Sequence, residues 1–295
     1  MQSLESAIRK RIVRAIEERV FPGCVVGVVQ SSGERLVLPF GGFMYEQSAP
    51  SVTEDSLFDV ASITKAIPTA ALAAQFIVEG TLRLDDRVAD LIPSLHGPYQ
   101  ERILVRHLLT QTLDFGFRLS SLREETPEKI LERIFEADLR RPPGEAYAYH
   151  NATSILLGFV VERVSSQRLD RAAQEHFFEP LGMRRTTFTP DAFPKAQIIP
   201  TEHDPWRGRL IHGEVHDESA WKLRQKRIVG SAGLFSTAGD LLTFLEMLLN
   251  AGTLNGKRCL EKEAIELMST NQLFESAVQA LKSLQDIRLR ETQSR

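Results

Sequence analysis

Apolar and polar positions alternate with two different periods along this chain. Over residues 2–19, Leu4, Ala7, Ile8, Ile12, Ala15 and Ile16 fall on one helical face while Glu5, Arg9, Lys10, Arg14, Glu17 and Glu18 lie largely elsewhere, which predicts an amphipathic helix stopped by Pro22-Gly23. The run Cys24 to Val29, the turn Ser31-Ser32-Gly33-Glu34 and the run Leu36 to Phe40 predict a β-hairpin closed by Gly41-Gly42. An Ala-rich apolar run from Ala66 to Val78 predicts a central buried helix that Glu79-Gly80 ends. Further helices are expected near 103–112, 127–139, 152–165, 170–178 and 239–250, whereas 190–227 is rich in Pro, His, Asp and Trp and reads as irregular. The balance is an α+β chain with a large helical lobe.

Composition narrows the class. With 295 residues, 42% hydrophobic and 25% charged, the chain can bury a substantial core and has no disordered signature, and a net charge of −3 offers no electrostatic case for nucleic acid. Two cysteines, Cys24 in an apolar run and Cys259 far from it, make a disulfide framework improbable. No apolar stretch is long enough for a membrane span and the N-terminus has no hydrophobic signal segment, so a cytoplasmic protein is expected.

The chemistry is concentrated in Phe58-Asp59-Val60-Ala61-Ser62-Ile63-Thr64-Lys65, directly ahead of the Ala-rich helix. Residues three apart share a helical face, so the Ser62 hydroxyl and the Lys65 amine can meet. A serine becomes nucleophilic when a base takes its proton, and a lysine serves if apolar burial favours its neutral form. The helix would supply that dry wall, and its N-terminus adds partial positive charge beside a developing oxyanion. Ser219-Ala220-Trp221-Lys222 repeats the spacing in a polar stretch, so spacing alone decides nothing, and taken singly Ser62 and Lys65 suit a helix cap and a solvated amine equally well. Downstream, Pro142 to Asn151 is a turn-rich loop in which Tyr149 and Asn151 would point the same way; they suit proton relay and substrate binding, or packing with a loop hydrogen bond. His203, His212 and His216 with Asp204 and Asp217 lack metal-ligand spacing and read as a substrate-facing loop. In Gly230-Ser231-Ala232-Gly233-Leu234-Phe235-Ser236-Thr237, a glycine-permitted turn leads to a helix cap at Ser236 or Thr237.

Together, Ser62-Ile63-Thr64-Lys65 and Pro143-Gly144 followed by Tyr149-His150-Asn151, in that order and at that distance, resemble the serine beta-lactamase-related hydrolases. That group includes class C beta-lactamases, esterases and D-amino-acid peptidases. Gly80 to Asp86, Arg106-His107-Leu108-Leu109-Thr110, Pro180-Leu181-Gly182-Met183 and Gly233 to Ala238 extend the likeness from about Pro22 to Gln272. It implies a beta-lactamase/transpeptidase-like, penicillin-binding-like fold over 1–272, with 1–42 in the sheet lobe and 58–250 mainly helical. It also implies Ser62 as the acylated nucleophile, Lys65 and Tyr149 sharing general-base work, Asn151 holding the substrate, no cofactor or metal, and a small ester, amide or lactam substrate.

Two departures accompany it. Where such proteins often read His-Thr-Ser-Gly, this chain reads Gln111-Thr112-Leu113-Asp114. The family's third motif, Lys or His, then Thr or Ser, then Gly on a late strand, needs a glycine, and none follows Gly256. The polar tail 273–295 spaces Phe274, Val278, Leu281, Leu284 and Ile287 as a helix would and resembles neither the closing strands nor the final helix. The antiparallel sheet is therefore expected to be incomplete at the C-terminus, leaving a strand edge open to self-association. The alternative to an active hydrolase is a truncated, catalytically impaired member with a binding role. A third class, the α/β-hydrolases, would require Gly-x-Ser-x-Gly on a strand-to-helix elbow, and no serine here has that frame.

Overall fold

In the computed structural model the first helix, α1 (Gln2–Glu17), and the hairpin of β1 (Gly23–Val29) and β2 (Arg35–Gly41) form where the hydrophobic pattern places them. The model describes residues 2–273. The hairpin is antiparallel with Cys24 opposite Phe40 and Val26 opposite Leu38. The helix Ala238–Leu249 crosses β1 so closely that a Cβ at Gly27 would lie 3.0 Å from the Leu242 side chain. Its cap is Thr237, whose hydroxyl accepts from Asp240 N at 3.2 Å. Leu4 and Val13 of α1 stay exposed, so the apolar stripe of that helix is only partly covered.

These elements belong to the first of two compact units, residues 1–63, 173–217 and 232–262. It also contains a two-residue antiparallel pair in which β3 (Phe58–Asp59) meets Phe235–Ser236, with Phe58 opposite Ser236. Phe177 and Phe244 pack edge to face at 5.5 Å in its core.

The second unit, residues 64–172, 218–231 and 263–295, is helical over its described part. At its start Lys65–Ala70 is kinked at Ile67, and α2 (Ala71–Val78) continues as a regular helix with Ala71, Leu72, Ala73, Ala74 and Phe76 buried. The uninterrupted helix expected from Ser62 is not formed. Ile67 leaves helical geometry at φ −119°, ψ 109°, directly ahead of Pro68, which has no N–H to donate to a helical carbonyl. The expected helices near 103–112 and 127–139 are shorter, Val105–Leu109 and Pro127–Phe135, and positive φ at Gln111 and Ala137 lies just beyond their ends. Asn151–Ser165 runs as expected, almost wholly buried from Ala152 to Val161. The stretch 190–227 is more ordered than its composition suggests: it holds the antiparallel pair His203–Asp204 with Arg209–Leu210, and the helix Glu218–Leu223. The expected polar tail beyond Leu273 lies outside the described residues.

Candidate active site

Ser62 is the penultimate residue of the first segment of the first unit and sits exposed in a turn, with helical backbone beginning at Ile63. Strand pairing anchors that turn, since Val60 N donates to Leu234 O at 3.0 Å and Ile63 N closes back on Val60 O at 3.0 Å. Ala61 is held at φ +45°, a conformation that disfavours a side chain. Asp59 offsets this: one carboxylate oxygen accepts from Ala61 N at 2.8 Å and the other from His216 N at 2.8 Å. Burial pushes the Asp59 carboxyl up in pKa, and those two backbone bonds together with the His216 imidazole act against the shift, while Asp217 adds to it.

In the helical unit Lys65 is half-buried, with Nζ donating to the Ser231 carbonyl at 2.7 Å and lying 5.1 Å from the centroid of the Tyr149 ring. The surroundings of this amine thus include a backbone carbonyl and an aromatic ring. The carbonyl is placed by a close backbone approach. Thr69 Oγ1 donates to Gly230 O at 3.1 Å, and a Cβ at Gly230 would lie 2.6 Å from Ser154 O and 2.7 Å from Thr69 Cγ2.

Tyr149 is 54% exposed, with its ring toward Lys65. Asn151 begins the helix Asn151–Ser165, whose cap is His150. His150 Nδ1 accepts from Ala152 N at 3.1 Å, so the ring proton is on Nε2, which donates to Phe117 O at 2.8 Å. Stacking on Phe115 at 4.8 Å completes its enclosure, and burial lowers its pKa, which keeps the ring neutral.

Lys65 and Tyr149 are thus brought together, with Asn151 two residues along the same segment. Asp59, Gln111 and Ser231 were not singled out by residue type. For Ser231 the signal was the preceding glycine, needed for close backbone approach. The other candidates are engaged elsewhere. Ser219, which repeats the Ser-x-x-Lys spacing, is buried on the short helix Glu218–Leu223. His216 Nε2 pairs with Glu202 at 2.6 Å, His212 Nε2 meets the Ile198 carbonyl at 2.7 Å, and Asp204 lies 3.3 Å from buried Arg207. Among the described residues no group of three or more His, Cys, Asp or Glu side chains is placed to hold a metal ion. A cavity of about 400 Å³ in the helical unit is lined by Ala66, Ala70, Ala74, Leu84, Arg106 and Met268 among others, and neither Lys65 nor Tyr149 lines it.

The Beta-lactamase family model matches residues 8–281. An Escherichia coli (strain K12) protein named D-alanyl-D-alanine carboxypeptidase is 30% identical over 258 residues, 78% of this chain and 59% of that protein. The chain thus spans less than two thirds of this curated relative. The octameric penicillin-binding protein homologue from Pyrococcus abyssi superposes with a TM-score of 0.71 at 26% identity, covering 90% of this chain and 60% of that one. A mutant of simvastatin synthase from Aspergillus terreus superposes at 0.73 with 24% identity, covering 93% and 71%, a likeness of fold alone.

Proposed function

The chain belongs to the Beta-lactamase family, with a beta-lactamase/transpeptidase-like fold, and on that premise we propose that it is a serine hydrolase acting through an acyl-enzyme on Ser62. The observation that carries this reading is the approach of Lys65 Nζ to the Tyr149 ring while the Ser231 carbonyl holds the amine. A tethered amine beside a phenol is a proton-handling pair, and Ser62 precedes that lysine by three residues.

In the proposed cycle Ser62 Oγ forms a bond to the carbonyl carbon of an ester or amide, and its proton passes to the Lys65–Tyr149 pair. The carbonyl oxygen takes the negative charge and is met by backbone donors including the Ser62 amide. Collapse breaks the bond to the leaving alcohol or amine, which takes a proton from the same pair. Asn151 holds the substrate amide or carbonyl. Water then attacks the acyl-enzyme and regenerates Ser62. Short esters, lactams and D-amino-acid peptides are the substrate classes of this reading. The last of these matches the name of the E. coli relative.

The second reading is a catalytically impaired binding protein on the same scaffold, favoured by Gln111-Thr112-Leu113-Asp114 standing where the family often reads His-Thr-Ser-Gly. Intact-mass spectrometry after incubation with a fluorophosphonate and, separately, with a penicillin decides between them. A single adduct on the wild type that is missing in Ser62→Ala establishes the nucleophile. No adduct on folded wild type sinks the hydrolase reading.

A further inference from the structure

Gln111 ends the turn after the helix Val105–Leu109 at φ +55°, in the left-handed region that a residue with a side chain seldom occupies. Apart from the turn bond of its own N–H to Leu108 O, its bonds reach the segment that carries Tyr149 and the helix that follows. Its backbone carbonyl accepts from Ala148 N at 2.8 Å and its side-chain Oε1 accepts from His150 N at 3.1 Å. Its Nε2 donates to the buried Ser154 Oγ at 2.8 Å, one turn into the helix Asn151–Ser165. The amide orientation follows from chemistry, because the His150 N–H can face only an acceptor.

Tyr149 is the residue between the two backbone amides so held. A ring that is 54% exposed gains little orientation from packing, so the backbone on either side must aim it. Gln111 also occupies the first of the positions where the chain departs from the His-Thr-Ser-Gly of the proteins it resembles. We propose that Gln111 is the positioning residue of Tyr149, gripping the chain immediately before and after it so that the phenol faces Lys65. This rests on the acyl-enzyme reading above. Gln111 acts through backbone geometry and takes no part in proton transfer.

The test uses the full chain and a fluorophosphonate, whose P–F bond breaks as Ser62 Oγ bonds to phosphorus and the hydroxyl proton passes to the Lys65–Tyr149 pair. Maximum labelling rate and half-saturating probe concentration are measured for wild type, Gln111→Ala, Tyr149→Phe and the double variant. Gln111→Ala is expected to lower the maximum rate by about tenfold to 100-fold, with half-saturation within about twofold. In the Tyr149→Phe background the same change is expected to have no further effect, because there is no phenol left to misplace. Wild-type labelling rates in Gln111→Ala, or equal slowing in both backgrounds, overturn the proposal. If Gln111→Ala does not fold, Ser154→Ala, which frees one end of the tether, takes its place with the same criterion. Hydrogen exchange gives a readout apart from activity: the His150 amide is expected to exchange at least about tenfold faster in Gln111→Ala, and an unchanged rate overturns the clamp. An unlabelled wild type overturns the acyl-enzyme reading and any catalytic role for the clamp with it. A labelled wild type with an unaffected Gln111→Ala overturns the clamp alone.

Discussion

Lys65 Nζ donates to the carbonyl of Ser231 at 2.7 Å, a bond between residues 166 apart in sequence. The amine therefore has a fixed direction in which to lie. Lys65→Met keeps much of the aliphatic stem and removes the amine. On the proposed mechanism it lowers the rate of Ser62 labelling by roughly 10²–10⁴, with little change in the far-ultraviolet circular dichroism spectrum. Labelling at the wild-type rate would remove Lys65 from the mechanism.

Gly230 tests how that carbonyl is placed. An added methyl would meet Ser154 O and Thr69 Cγ2 below van der Waals distance, so the segment has to move. Gly230→Ala is expected to destabilise the fold by about 1–3 kcal/mol in urea titration and to slow Ser62 labelling together with it. A variant as stable and as fast as wild type would mean that the segment has room to shift.

Asp59 tests the turn that carries the nucleophile. Asp59→Ala leaves the Ala61 and His216 amides without their acceptor and is expected to cost about 1–3 kcal/mol for each amide that stays unsatisfied. Reduced thermal stability with faster exchange of both amides is the expected outcome. Protection of both amides unchanged from wild type would contradict it.

His107 makes stability pH-dependent. Its Nδ1 accepts from Leu104 N at 3.1 Å, and burial, reinforced by Arg106 and Arg102, pushes its pKa down to about 4 from an ordinary value of 6.5. Between those values the unfolded chain binds the proton and the native chain does not, so stability falls as pH drops from 6.5 towards 4. The loss amounts to something on the order of 3 kcal/mol. His107→Gln keeps an acceptor for the Leu104 amide without titrating, and denaturant midpoints measured across this window should flatten. A slope equal to that of wild type would assign the pH dependence to other groups.

Among the described residues β1 and β2 pair only with each other, which leaves unpaired strand edges. Concentration-dependent sedimentation is therefore expected, and a proline at an outward-facing amide of β1 should weaken it. Sedimentation as a monomer at every concentration would count against association.

Local pattern made most of the elements legible. The helical period of residues 2–19, the alternation on either side of the Ser31–Glu34 turn and the apolar run ahead of Glu79-Gly80 depend on side chains a few positions apart, so sequence alone determined them. The same holds for Ser62, Lys65, Tyr149 and Asn151 as candidates, since each stands in a short motif of recognisable chemistry. Tertiary structure decided what holds them. Ser231 meets Lys65 across 166 residues, His216 meets Asp59 across 157, and Gln111 meets His150 across 39. In each of these bonds at least one partner is a backbone group, which every residue carries. No residue type announces such a bond, and only the packing of distant segments selects which backbone groups meet.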